Sequence, residues 1–373
     1  MCSEETQALC RHATLWQAKP TLTESRTQII NSAYQYPILE SLKHYDPRNR
    51  MTAMELAEGA KEKAIKVQFI HELLSIGELY RQTRFGKWKS MIDRGLETFA
   101  KTHPNTFLRR TNRGIPQEFR WEIWKVALKY QHYASELEDL YESYSAKENE
   151  YLSIINIDVP RTFPELKVFD KEAQDQLYRI LSAYGNYQPE IGYCQGMNFV
   201  AGLLLLVSGF KEKESFIGFV GLMNELKLAE FYKPAFPMVK DYISAYETLI
   251  KDVTPELHIH IKREDVSPAV FLHQWFLTLF VASLPLRSVV ALWDYMLFNG
   301  LSSSLTVALA LTCLLAPQLM KLNFEGILSL LKDMKSMDSK DDIRIGRVIV
   351  NKAHKIASDK GGIDEFLSKA ILK

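Results

Sequence analysis

Residues Phe199 to Val207 are apolar on every side. A surface helix needs a wet face, so a helix made from this run belongs at the centre of a core. Leu305 to Met320 forms a second long apolar run. Both fall short of the ~20 residues that span a bilayer, so both read as buried helices. Helical patterning continues around them. After Asp170, a suitable cap, Ala173, Leu177, Ile180 and Tyr184 fall on one face and lead to a predicted stop at Gly185-Asn186. Ile65, Phe69, Leu73, Ile76 and Tyr80 do the same within a helical stretch over 51–82.

Phe85-Gly86-Lys87-Trp88 interrupts that pattern. A helix is expected over 91–101, stopping near Pro104, and residues 131–150 read as one exposed helix face or a polar, solvated connection. Further helices are expected over 214–228, 238–251, 269–284, 288–298, 301–320 with a break at Pro317, and 324–334, with one or two more past Asp338. Strand alternation is nearly absent, and the one Asn299-Gly300 pair lies between two helical patterns. The chain is expected to be all-α.

Charge narrows the function. With 46 basic and 45 acidic residues, and no long block of one sign, the chain lacks the electrostatic footprint of a nucleic-acid binder. The four cysteines, Cys2, Cys10, Cys194 and Cys313, form no CxxC pair and fit a reducing compartment. Met1-Cys-Ser-Glu-Glu does not open like a signal peptide, Cys2 is not the glycine that myristoylation needs, and Ala370-Ile-Leu-Lys is no prenylation box. A cytoplasmic protein is expected, one that does not insert in membranes and reaches their surface through a partner. Neither GxxxxGK[ST] nor GxGxxG occurs, so no nucleotide site of its own is recognisable.

Two short polar segments carry the chemistry: Ile155-Asn-Ile-Asp158-Val-Pro-Arg161-Thr162 and Tyr193-Cys-Gln195-Gly196-Met-Asn198. An arginine fixed beside prolines and a glutamine opening a buried helix look like side chains presented to something outside the chain. A helix over 171–184 would carry the chain roughly 20 Å away. Residues 185–192 reach at most about 26 Å. The two segments can then share a face only if that loop folds straight back along the helix, and it is expected to do so.

In order and spacing, these segments resemble the TBC-domain family of Rab GTPase-activating proteins. The resemblance extends to Gly114-Ile115-Pro116 with Arg120 and Trp124, and to Phe271-Leu-His-Gln-Trp275 and Leu292-Trp293-Asp294. It departs at Asn112 and Ala291, where the family usually carries arginine. It implies a TBC-type helical domain of two helical subdomains over 85–334, divided near 225; an N-terminal helical region over 1–84 and C-terminal helices over 335–373 are expected from their own patterning. It also implies that Arg161 is an arginine finger and Gln195 a glutamine finger, both lent to a GTP-bound Rab that brings its own GTP and Mg²⁺. Asp158 and Arg120, which could pair with each other, would hold the arginine loop, with Thr162 and Trp124 also in support. Tyr193, Gly196 and Asn198 would shape the turn that presents Gln195. Trp124, Trp275 and Trp293 are expected as core anchors.

Other classes fit parts of the sequence. A helical module could bind a Rab without accelerating hydrolysis. Cys194 could be a thiol nucleophile, but the sequence names no base for it, and His258, His260 and His273 read as structural. His258-x-His260 lacks recognisable metal-ligand spacing.

Overall fold

The computed structural model describes residues 85–332, 334–336, 342–359 and 361–362. The region expected over 1–84, with its helical stretch at 51–82, lies outside these residues. Among the described residues every regular element is helical. The apolar run becomes the helix Met197–Val207 (α9), whose Val200, Leu203 and Leu204 are fully enclosed. Lys171–Tyr187 (α8) and Glu212–Glu225 (α10) pack against it, through Leu177 and Ile180 on one and Phe216 and Phe219 on the other. Asp170 caps α8 as expected, accepting from Ala173 N at 3.1 Å.

The later half is built on Leu286–Asn299 (α14) and Ser303–Leu319 (α15), with Asp342–Asp359 (α17) against both. One contiguous core runs from Trp88 to Ile356. Trp124, Trp275 and Trp293 are buried in it, with Trp124 stacked on Trp293 at 5.4 Å.

Several boundaries differ from expectation. Residues 85–93 (α1) are helical through Phe85-Gly86-Lys87-Trp88, because burial of Trp88 holds that stretch to the core. The helix expected over 91–101 breaks at Gly95, and Leu96–Thr102 (α2) follows it. Pro104 starts Pro104–Asn112 (α3) at the first position, where its missing N–H costs nothing. Residues 131–150 are not a solvated connection. Tyr130–Leu137 (α5) and Tyr141–Ala146 (α6) bury Tyr133, Leu137 and Tyr141, and the Tyr141 phenol donates to Glu212 at 2.5 Å.

Helix α8 passes through Gly185-Asn186 and ends at Tyr187. The expected helix over 269–284 ends as Ala269–Leu277 (α13), where Leu279 and Phe280 turn left-handed and Phe280 N donates back to Trp275 O at 2.8 Å. Pro317 falls in the last turn of α15 without breaking it. Two further helices have no counterpart in the sequence reading, Leu152–Asp158 (α7) and Pro255–Arg263 (α12). No helix among the described residues is long and apolar enough to cross a membrane.

Candidate functional site

The first polar segment begins as helix, not loop. Asp158 is the last residue of α7, and the chain then turns through Val159, Pro160 and Arg161. The Asp158 side chain is buried and its Oδ1 accepts from Arg161 Nη2. Arg161 stays about half exposed, at 48%. Thr162 is buried; its hydroxyl donates to Asp158 O at 2.8 Å, closing the turn.

The second segment meets the first on the same ground. Tyr193, buried just before Gln195, donates its phenol proton to Asp158 Oδ2 at 2.5 Å. Burial above all, and then this bond to a carboxylate, push the phenol far above its usual pKa, so it remains a donor. Beyond Gln195, Asn198 accepts from Gly196 N at 3.1 Å and donates to Thr162 Oγ1 at 2.8 Å. Gly196 lies at φ +113°, where a Cβ would also stand 3.1 Å from Leu277 O. The positive φ favours glycine there, and the carbonyl leaves a Cβ little room.

Two clasps therefore tie the segments together, Tyr193 to Asp158 on one side of Gln195 and Asn198 to Thr162 on the other. Gln195 itself is exposed, and its side chain caps nothing. Ile154 and Ile157, on α7 beside Asp158, also face solvent, at 47% and 69% exposed.

The segments meet by a different route from the one expected. Helix α8 has 17 residues, about 25 Å at the usual rise. Residues 188–192 form a tight turn, with Ile191 N and Gly192 N both donating to Gln188 O. That turn is too short to retrace the helix. The outward leg is the irregular stretch 159–170, and α8 is the return. Asn149, next to the start of α7, accordingly donates to Ser182 O near the far end of α8.

Arg120 does not pair with Asp158. Its guanidinium bonds Asp294, with Nε to Oδ1 at 3.0 Å and Nη2 to Oδ2 at 3.3 Å, and Nη2 also reaches Ile115 O at 2.7 Å. Trp124 Nε1 and Ile115 N donate to the same carboxylate, each at 2.9 Å. Asp158 is already taken by Arg161 and Tyr193, whereas Asp294 lies in the core facing the one-turn pair Arg120 and Trp124. This buried node pins the early helices to α14. Sequence reading missed Asp294 as a partner; its one signal was the tryptophan–aspartate pair within the family resemblance.

At the two departures from the family pattern, Asn112 accepts from Asn299 Nδ2 at 2.7 Å, and Ala291 is buried in α14. Cys194 is half-buried, and burial, with Asp158 nearby, raises its thiol pKa, the opposite of nucleophile activation. His260 is buried against the carbonyls of Leu319 and Leu322, each 2.9 Å from Nε2. Among the described residues no cluster of three or more potential metal ligands occurs.

Residues 117–320 match the Rab-GTPase-TBC domain family. The Rab GTPase-activating protein eat-17 of Caenorhabditis elegans is 32% identical over 67% of this chain and 28% of its own length. The GTPase-activating protein GYP5 of Saccharomyces cerevisiae is 28% identical over 86% of this chain and 36% of its own. The chain thus spans about a third of the length of these curated relatives. In fold it is similar to a Chlamydomonas flagellar RabGAP TBC domain, with a TM-score of 0.60 at 20% identity, covering 74% of this chain and 94% of that one.

Proposed function

Since this chain belongs to the Rab-GTPase-TBC domain family, we propose that it is a GTPase activator that lends Arg161 and Gln195 to a GTP-bound Rab. One observation carries the reading. Two exposed side chains, a cation and a neutral amide, stand on segments joined by buried hydrogen bonds on both sides of Gln195.

The chemistry follows from what GTP hydrolysis lacks. Its transition state gathers charge on the γ-phosphate oxygens, and the attacking water must be oriented. Arginine offers a planar fork of donors and cannot lose its proton. An arginine finger contributes about 10³ to 10⁵ in rate, a magnitude drawn from Ras and its activator. The amide of Gln195 can accept from the water while donating to phosphate, which a carboxylate cannot do. Asp158 holds the Arg161 guanidinium through Nη2, and Ile154 and Ile157 offer apolar area for the partner to cover.

GTP and Mg²⁺ come with the Rab in this reading, and the chain catalyses no reaction of its own. The working unit is the domain over 85–334, with both fingers in its half before about residue 225. It acts from the cytoplasm, without inserting in membranes.

Phosphate release from a panel of GTP-loaded Rabs tests the proposal. At least one Rab is expected to respond, and Arg161→Lys and Gln195→Ala should each remove most of the acceleration while binding persists. Undiminished stimulation in both variants overturns the finger roles. Several Rabs bound but none accelerated would identify a silent binding module instead.

A further inference from the structure

Lys335 lies past the end of the matched family region, in the short turn Met334–Ser336 that buried Met334 anchors. Its ammonium reaches back to the loop after Arg161. It pairs with Glu165 Oε1 at 2.7 Å and stands over the rings of Phe163 at 5.3 Å and Phe199 at 5.8 Å. We infer that Lys335 is a positioning residue for Arg161, bracing the arginine loop from a segment that the family region does not include. This rests on the proposed role of Arg161.

Phe163 is the reason a brace is needed. It lies two residues after Arg161 and holds a left-handed backbone at φ +53°. A residue with a side chain keeps such a conformation only when its surroundings over-determine it. The Phe163 ring is fully buried, edge-on to Phe169 at 5.4 Å and Phe199 at 5.8 Å, and so close to α9 that a Cβ on Gly202 would lie 2.9 Å from it. Those contacts fix the ring from the core side.

Lys335 approaches from the C-terminal segment and grips the loop again at Glu165, two residues on. Thr162, between Arg161 and Phe163, is already clasped to Asn198. The loop is thus held at Asp158, Thr162, Phe163 and Glu165, and Lys335 supplies the last hold and part of the third. Phe169, Phe199 and the close approach of Gly202 also hold the Phe163 ring, so the fold should survive truncation of Lys335 while the loop loosens.

Amide exchange on the free protein and stimulated hydrolysis by the responsive Rab test this together. In Lys335→Ala, exchange over 160–168 should quicken and kcat should fall by about tenfold, the combined size of a cation–π contact and a half-exposed ion pair. KM should stay within about twofold, because only an interaction that matters in the transition state is lost. Lys335→Arg should restore both readouts, since a guanidinium serves a carboxylate and an aromatic face equally well. Glu165→Gln should reproduce part of the loosening.

Unchanged loop exchange and kcat in Lys335→Ala overturn the inference. So does a raised KM with kcat intact, which would mean direct contact with the partner, or faster exchange spread evenly over the chain, which would mean general destabilisation. If wild-type protein accelerates no Rab, the Rab reading fails on its own, and loop exchange in the free protein still decides the brace.

Discussion

Tyr193 and Arg161 share one carboxylate: Asp158 accepts from the phenol through Oδ2 and from the guanidinium through Oδ1. Thirty-two positions separate the two donors in sequence (193 less 161), with all of α8 between them. A single buried charge therefore sets the spacing of the two presenting segments. Its charge matters as much as its shape, because an amide of the same outline offers one acceptor where two are used.

Asp158→Asn should leave the fold standing and weaken the function. The amide oxygen can still receive the Tyr193 proton, but its NH₂ then faces Arg161, and the ion pair is gone. A finger displaced by about 1 Å loses about 10² in rate, so stimulated hydrolysis should fall by that order with Rab binding retained. Tyr193→Phe should act on stability as well, costing about 1.5–3 kcal/mol as a lost bond to a buried charge. Denaturant unfolding separates the two effects. Wild-type hydrolysis in Asp158→Asn would show that the carboxylate positions nothing.

Asn198 gives a sharper test, because its hydrogen bonds have only one consistent orientation. The single hydroxyl proton of Thr162 goes to Asp158 O, so its oxygen must accept from Asn198 Nδ2. The Asn198 oxygen is then committed to Gly196 N. Asn198→Asp would set a carboxylate oxygen against an acceptor and add a buried, unpaired charge. Asn198→Ala should cost about 1–3 kcal/mol for groups left unsatisfied, and Asn198→Asp should cost more despite its closer shape. Melting temperatures of the two proteins decide the order.

Asp294 should behave as a stability residue alone. It receives four donors, and both it and Arg120 are almost fully enclosed. Breaking a buried pair by removing one partner costs about 3–5 kcal/mol, because the other charge stays behind. Asp294→Asn should lower the melting temperature strongly. Well below that temperature, activity per folded molecule should match wild type, since none of the node's hydrogen bonds reaches Asp158. A kcat loss without a stability loss would contradict that separation.

What could be read from sequence was local. Helical periods, the Asp170 cap and the tryptophans destined for the core all depend on residues within a few turns of each other. Helix ends and polar partners did not, because tertiary packing sets them. Helix α13 stops at Leu277 because the next residues curl so that Leu279 O can receive Trp293 Nε1 at 3.1 Å. Gly185 reads as a stop, yet stays inside α8, where the Tyr151 ring lies within 3.3 Å of the place its Cβ would occupy. Arg120 had acidic residues nearer in sequence, but its true partner is 174 positions away. Arg161 and Gln195 stand out in the sequence as two presented side chains, and only the resemblance gives them roles; the buried clasps that bring their segments together could not be inferred from spacing.

Ala291 shows how a departure from the family pattern can be explained by the rest of the fold. It is buried in α14, where Gly346 of α17 stands against it. A Cβ on Gly346 of α17 would lie 2.9 Å from the Ala291 Cβ and 2.8 Å from the Ser288 Cα. Alanine on one helix and glycine on the other let the two backbones touch, and the family's arginine would have no room in that seam. Gly346→Ala should cost about 1–3 kcal/mol by overpacking. Ala291→Arg should cost more, because it also drives a charge into a dry contact. In both, amide exchange over 342–359 should quicken before that of α9, as α17 lifts while the central helix stays protected. Protection of 342–359 unchanged in Ala291→Arg would mean that α17 does not rest on α14 at this point.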